Sequence, residues 1–241
     1  MRYITFNDKL STDPLLGIGA VQQIRRSILP DTDEKTISIV GKDGVYDIGS
    51  DRKEGYINLR FWLTADDFED RIMYADRIAA WLTTDEVKPL IISDQPTKRY
   101  MARISGSVSI DGAGTDGHID AVFVIPSSFK EGESESAITE SFGTNSGTAP
   151  TPCVITLSAN AGASIKVTSD QTGEFVEITD TFTGGEEIVI DTETHYATID
   201  DVDSRSKVIV SSTYFDLLPG NWSLTMTGCT ITSVVYRERY L

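Results

Sequence analysis

The chain has 241 residues, 39% of them hydrophobic, and a formal net charge of −16 at pH 7. This length and apolar fraction are enough for one large or two small domains with real cores. Residues 1–140 contain 16 basic and 24 acidic residues and residues 141–241 contain 5 and 13, so each part carries a charge of −8. Because neither part is basic, we expect no specific binding to nucleic acid and no binding to an anionic membrane surface.

Targeting signals and reactive residue types are scarce. The N-terminal stretch MRYITFNDKL lacks an apolar segment of signal-peptide length, and no run approaches a membrane span. We therefore expect a protein that is made in the cytoplasm and is soluble there. Cys153 and Cys229 lie among small or apolar residues, which favours buried free thiols over a disulfide. His118 and His195 have no cysteine or second histidine nearby, so no zinc site or catalytic triad is indicated.

The first third of the chain predicts short strands joined by turns. Residues 3–6 and 21–29 read as strands, the second stopped by Pro30, and the charged residues 31–34 read as a solvated turn. Residues 36–40 alternate in polarity as a strand does, and residues 45–48 follow the turn dipeptide Asp43-Gly44. Residues 36–48 therefore predict a β-hairpin.

Residues 56–63, YINLRFWL, alternate over their whole length. One face would carry the aliphatic residues and Phe61, and the other would carry Arg60 and Trp62. The outward Arg60 and Trp62 are consistent with an interface or with the edge of a core.

A helical period appears clearly in one place, residues 64–82. Thr64 and Asp67 resemble a capping box, and acidic residues follow in the first turn. One face of the predicted helix is formed by Phe68, Ile72, Ala75, Ala79 and Leu82.

The rest of the chain is β-like. Strands are predicted near residues 90–92, 100–110 and 118–125, and the Ser-, Thr-, Gly- and Glu-rich residues 130–152 indicate a domain boundary. Beyond Cys153 many short strands suggest a sandwich. Those strands are predicted at 153–158, 164–168, 174–179, 187–191, 195–200, 207–210, 222–227 and 230–240.

No catalytic constellation stands out. Asp200, Asp201 and Asp203 form the most site-like cluster and would suit a calcium ion, but a solvated turn is the favoured interpretation. No Gly-x-Ser-x-Gly motif occurs. We predict a protein that is not an enzyme, with no catalytic residues, no metal site and no cofactor.

The order of several motifs carries a family resemblance. In the first part these are the turn STD (11–13), RRSILP (25–30), ISIVGKDGVYDIG (37–49), YINLRFWL (56–63), IAAWL (78–82), LIISDQPTKRYMARISGSVSI (90–110) and AVFVIPSSF (121–129). In the second part they are Asn145-x-Gly147-Thr148, Pro152, Thr172-Gly173, Ile190-Asp191 and Leu218-Pro219-Gly220-Asn221. Over essentially its whole length the chain resembles the distal tail proteins of long-tailed phages with non-contractile tails, which also occur in prophages.

The resemblance implies a mainly β fold with two domains. The first, residues 1–132, would be a ring-forming, tail-tube-like β-barrel or β-sandwich domain with one α-helix. The second, residues 133–241, would be a galectin-like β-sandwich without the carbohydrate-binding insert that larger members carry, since the roughly ninety residues after the linker leave room for one sandwich only.

The resemblance also implies a function. Such proteins form a homohexameric hub ring at the tail tip of the virion. The ring joins the major tail tube protein to the tail-associated lysin and to the tail fibre, receptor-binding or baseplate proteins of the adhesion device.

Candidate contacts follow from these expectations. The hairpin and the helix are candidates for ring contacts, because a hairpin can pair with a neighbour's sheet edge. The candidate interface residues are Ile39, Lys42, Asp43, Val45, Tyr46, Arg60 and Trp62. Trp222 is a candidate sugar contact, although its alternation with Leu224 and Met226 favours a core position.

Two other functions compete with the hub. One is a carbohydrate-binding adhesin that recognises host cell-wall sugars through the C-terminal sandwich. The other is a wall hydrolase acting through Asp200, Asp201 and Asp203.

Overall fold

The computed structural model describes residues 2–27, 29, 31–112 and 114–241. The predicted strand stop at Pro30 lies outside the described residues. The chain divides into two compact units, Met1–Glu131 together with Leu241, and Gly132–Tyr240. Each unit has its own hydrophobic core. Among the described residues, no helix is long and apolar enough to cross a membrane.

The first unit is built mainly of strands. Its elements are β1 (Ile4–Phe6), β2 (Lys9–Leu10), a 3-10 turn (Pro14–Leu16), β3 (Ile18–Arg26), β4 (Thr32–Ile37), β5 (Tyr46–Arg52), β6 (Gly55–Thr64), α1 (Phe68–Leu82), β7 (Lys88–Ile92), β8 (Lys98–Ser105), β9 (Ile110–Asp111) and β10 (Asp116–Ile125), and β11 (Lys130–Gly132) ends it along the chain.

The main sheet of this unit is antiparallel and curled into a half-barrel. Its strand order is β2-β1-β7-β8-β10-β6-β3, with β9 paired to β10. The longest ladder joins β6 and β10, from Thr64 opposite Asp116 to Gly55 opposite Ile125. The predicted alternation of β6 is confirmed, because its aliphatic residues and Phe61 are buried and Trp62 faces outward.

Helix α1 begins four residues later than the sequence predicted. Thr64 is the last residue of β6 and its N–H donates to the carbonyl of Gly17 at 3.1 Å, so it belongs to the sheet. The cap is Asp67, whose Oδ1 accepts from the N–H of Asp70 at 2.8 Å. Asp67 rather than Thr64 caps the helix, because its extended backbone leaves the carboxylate free to accept from a first-turn N–H.

The face of α1 that packs on the core carries Ile78, Trp81 and Leu82. The Trp81 ring meets Phe6 and Phe61 edge-to-face, with centroids 6.3 and 6.1 Å away. Its Nε1 donates to the Phe6 carbonyl at 2.8 Å, which satisfies the one polar atom of a buried indole.

Strands β4 and β5 form a separate two-stranded hairpin. The prediction of a hairpin at 36–48 is confirmed, but its strands begin earlier and its loop is longer. The charged residues 31–34 were predicted as a turn and this is wrong, because Thr32 pairs with Arg52. Two cross-strand ion pairs, Lys35 with Asp51 and Lys53 with Asp33, favour a strand over a turn in this charged stretch.

The second unit is a sandwich of two antiparallel sheets. Its strands are β12 (Ser136–Ile138), β13 (Phe142–Asn145), β14 (Cys153–Ala159), β15 (Gly162–Ser169), β16 (Phe175–Phe182), β17 (Glu187–Asp191), β18 (Tyr196–Ile199), β19 (Val202–Asp203), β20 (Gly220–Thr227), β21 (Cys229–Tyr236) and β22 (Arg239–Tyr240). One sheet has the order β12-β21-β14-β17-β18-β19, and the other has the order β13-β20-β15-β16.

Two strand predictions in this unit fail. Residues 207–210 do not form a strand, because a 3-10 turn occupies Arg205–Lys207 and only Val208 makes a single bridge, to Ile178. The predicted strand 230–240 is divided into β21 and β22. The predicted free, buried thiols Cys153 and Cys229 are confirmed.

Candidate functional site

The distal half of the β4–β5 hairpin, residues 37–48, is an exposed apolar surface. Every residue from 31 to 54 is exposed, so the hairpin has no buried side of its own. Val40 is 103% exposed at the tip. The other large apolar residues of this surface are Ile37, Ile39, Val45, Tyr46 and Ile48. Three of the predicted interface residues, Ile39, Val45 and Tyr46, are therefore together on it.

Lys42 and Asp43, also predicted interface residues, lie in the hairpin loop. The Lys42 ammonium lies 3.5 Å from the centroid of the Tyr46 ring, a cation–π contact. Gly41 and Gly44 flank these two residues with φ of 84° and 83°, which glycine adopts without strain. The loop is thus a turn that presents one positive and one negative charge.

Arg60 and Trp62, the other two predicted interface residues, lie on β6 of the main sheet rather than on the hairpin. The Arg60 guanidinium donates to both carboxylate oxygens of Asp120, each at 2.6 Å. This bidentate pair lowers the pKa of Asp120 and raises that of Arg60. Trp62 lies opposite His118 and is partly exposed.

Asp111, His118 and Asp120 hold ligand-type atoms within 4.8 Å of one another. His118 Nε2 is 4.0 Å from Asp111 Oδ2. A metal ion here would compete with Arg60, which already engages both oxygens of Asp120. The arrangement is that of a surface ion-pair network.

A groove of about 850 Å³ runs beside α1, and the sequence did not predict it. The wall on the helix contains Phe68, Ile72, Ala75 and Ala79, and the opposite side contains Ile104, Val108 and Ile110. Ile78, Leu82 and Ile119, which are buried, also line it.

The groove was missed because α1 has two apolar faces. Phe68 and Ile72 recur with Ala75 and Ala79 at helical spacing, a pattern that predicts a buried face. In the structure Phe68 is 65% and Ile72 is 52% exposed, and the core is reached instead by the face that contains Trp81. The signal available in the sequence was the second apolar set on the same helix, Ile78, Trp81 and Leu82, because a helix packed on one core buries one face.

Trp222, the candidate sugar contact, is a core residue. It is 2% exposed, and its ring meets Tyr236 edge-to-face with centroids 5.9 Å apart. The buried indole offers no open face on which a sugar ring could stack. The predicted alternation with Leu224 explains this position, because both side chains point into the sandwich.

The Asp200–Asp203 cluster is a tight turn between β18 and β19. Asp200 and Asp201 both have positive φ, 48° and 63°, as the two central residues of a type I′ hairpin turn do. Asp200 accepts from the N–H of Glu187 at 2.9 Å, and Asp203 pairs with Arg205 at 2.6 Å. These carboxylates have structural partners, in agreement with the interpretation as a turn.

Family models identify both parts of the chain. Residues 14–120 match the phage tail protein RIFT-related domain, and residues 146–240 match the C-terminal domain of the siphovirus-type tail component. The chain belongs to the siphovirus-type phage distal tail proteins. It is therefore a structural component of the phage tail, with its place in the virion. No curated protein matches the chain.

Solved structures share the fold of this distal tail protein. The crystal structure of SPP1 Dit, a "paradigm of hub adsorption apparatus in Gram-positive infecting phages", has a TM-score of 0.81, 17% identity and 100% coverage of both chains. A chain of the phage P2 baseplate in its activated conformation with Ca has a TM-score of 0.52 and 6% identity, over 99% of this chain and 98% of that one. At these identities the likeness concerns the fold.

Proposed function

We propose that the chain forms a homohexameric hub ring at the distal end of a non-contractile phage tail. The carrying observation is the distal half of the hairpin, which presents a cluster of large apolar residues with no cover from its own chain. Apolar patches of this kind on a folded protein mark interaction surfaces. A closed ring requires head-to-tail contacts between two different surfaces of one chain.

The two units would divide the work. Residues 1–132, which contain the curled sheet, the hairpin and α1, would carry the ring contacts and continue the tube. Residues 133–241 would be a galectin-like sandwich at the outer side. The ring would contact the major tail tube protein on one side and the tail-associated lysin, tail fibre or receptor-binding protein on the other. The family membership of both parts supports this assignment.

The charge of the chain suits a conduit. Six copies with a formal charge of −16 each would repel the phosphates of passing DNA, so the ring would let DNA through without holding it. A hub of this kind acts by geometry and needs neither a cofactor nor a catalytic group.

Light scattering of the purified chain tests the ring. We expect a particle of six times the 26.4 kDa chain mass, either alone or after addition of the tail tube protein. A monomer under both conditions would contradict the proposal. Electron microscopy of the same sample would show whether a hexamer is a closed ring.

A carbohydrate-binding adhesin is the second candidate. Its support is an aromatic surface on the sandwich, where His195 stacks on Tyr214 with centroids 4.8 Å apart and Arg205 lies 4.8 Å from the centroid of Tyr196. Aromatic rings with polar neighbours are typical of sugar-binding surfaces. Titration with host wall polysaccharide distinguishes the two, because saturable binding that Tyr214→Ala abolishes is expected only of the adhesin.

A further inference from the structure

We propose that the groove beside α1 of one copy receives the distal half of the hairpin from the next copy. The inference rests on the proposed ring and deepens it by naming the two surfaces that meet. It places the hairpin against a helix and the β9 region, rather than along the edge of a neighbouring sheet.

The distal half of the hairpin lacks a packing partner among the described residues of its own chain. Two isolated strands are at best marginally stable in water, and this pair buries none of its residues. Its ion pairs, Lys35 with Asp51 and Lys53 with Asp33, lie toward the base. Its large apolar residues lie toward the tip, at positions 37–48. The base is therefore suited to water and the tip to an apolar contact.

The groove has the complementary form. Ala75 and Ala79 keep the helix wall low at its centre, while Phe68 and Ile72 raise it at one end. At the other end Thr84 has a buried hydroxyl without a hydrogen-bond partner among the described residues. Of the lining residues that the structure describes, none belongs to the hairpin of the same copy, so the hairpin does not fill its own groove.

Charge complementarity supports a copy of the same chain as the occupant. Chains that carry −16 repel each other, so a contact between copies requires patches whose charges do not add to that repulsion. The distal half of the hairpin, residues 37–48, carries Lys42, Asp43 and Asp47, a net charge of −1. Among the described residues that line the groove, the one charged residue is Arg71, whose guanidinium donates to the carbonyls of Gly112 and Gly114. These two surfaces can therefore meet without electrostatic opposition.

The geometry of such a contact is head-to-tail. The hairpin and the groove are different surfaces, so each copy would give its hairpin to one neighbour and its groove to the other. Repetition of one contact closes into a ring when the rotation allows it.

Cross-linking between copies tests the pairing directly. Chains carrying Val40→Cys are mixed with chains carrying Ala79→Cys and treated with a short flexible bismaleimide. The native thiols Cys153 and Cys229 are buried and free, so they provide little background. The matched control replaces Ala79→Cys with Val210→Cys, because Val210 is as exposed as Val40 but lies on the sandwich.

We expect the Val40→Cys and Ala79→Cys mixture to give at least about tenfold more cross-linked heterodimer than the control, because a docked contact raises the effective concentration of the thiols. Equal yields in the two mixtures would overturn the inference. Strong cross-linking of Val40→Cys chains to one another would overturn it too, since it would indicate a hairpin-to-hairpin contact.

Substitutions test the hairpin-in-groove contact separately from the formation of the ring. Val40→Asp at the tip and Ala79→Trp in the groove should each abolish the assembly seen by light scattering, while Val210→Asp should leave it intact. Circular dichroism checks that each variant is folded. If the hexamer persists in both tip and groove variants, the docking inference fails and the ring stands. If the wild type neither assembles nor cross-links, both fail.

Discussion

Glu186 illustrates how single side chains are fixed in this fold. Its carboxylate accepts from the Thr183 hydroxyl at 2.6 Å, from the Thr183 N–H at 2.7 Å and from the Gly184 N–H at 2.9 Å. These bonds stabilise the charged form and lower the pKa of Glu186 from 4.5 to about 2.

The consequence is a defined acid dependence. Because the folded-state pKa lies below the unfolded value, this carboxylate contributes stability above pH 4.5 and loses it as the pH falls toward about 2. We expect an NMR titration of the side-chain carbon to give a midpoint near 2 and Glu186→Gln to weaken the acid dependence. A midpoint at the ordinary glutamate value would show that the turn does not hold the carboxylate.

Burial controls the chemical reactivity of the Cys153 thiol. Burial raises its pKa to about 12, so the nucleophilic thiolate is almost absent at neutral pH. We expect native protein to resist labelling by a thiol reagent at pH 8 and to react at both cysteines once unfolded. Rapid labelling of Cys153 in the native state, with Cys153→Ser as the control, would show that the sandwich opens there.

At the scale of elements, α1 depends on one cap. Replacing Asp67 by alanine leaves the Asp70 N–H without its acceptor and should destabilise the first unit by about 1 kcal/mol. Thr64→Ala is the matched control and should change the stability by less than about 0.5 kcal/mol, because its exposed side chain is not a cap. Urea denaturation measures both. If Thr64→Ala lowered the free energy of unfolding more than Asp67→Ala, Thr64 and not Asp67 would be the helix cap.

Strand β13 depends on a glycine that lies against Trp222. A Cβ added to Gly143 would lie 2.5 Å from Cζ2 of the indole, whose other contacts include Tyr236. We expect Gly143→Ala to cost about 1–3 kcal/mol through overpacking.

Gly162→Ala is the control for this change, because the nearest atom to its added Cβ is 3.9 Å away and its φ is not positive. Thermal unfolding followed by tryptophan fluorescence reports both variants. Equal melting temperatures would mean that the Trp222 ring can shift aside.

At the scale of the whole molecule, charge and apolar surface oppose each other. Raising the salt from about 0.01 M to about 1 M shortens the screening length from about 30 Å to about 3 Å. Repulsion between chains of −16 then weakens, while the apolar hairpin remains exposed. We expect self-association to strengthen with salt in sedimentation measurements, and Val40→Asp to remove that gain. Association that weakens with salt would point to ion pairs as the main contact.

Periodicity in the sequence was enough for the elements whose signals are local. The two-residue alternation of 56–63 predicted β6 and its buried face, and the Asp43-Gly44 turn predicted a hairpin, because both depend on residues close in sequence. The helix start was misplaced because Thr64 and Asp67 are both good caps, and only the pairing of Thr64 with Asp116 excludes the first. The ordered motifs also gave the family.

The sequence by itself thus determined the mainly β fold, the family and the presence of the hairpin. Only the tertiary structure decided which apolar face of α1 is buried, that Trp222 is enclosed, and that a groove lies between α1 and the segment that contains Ile104, Val108 and Ile110. The physical reason is that periodicity reveals where a face is apolar, whereas what covers that face depends on contacts between residues far apart in the chain.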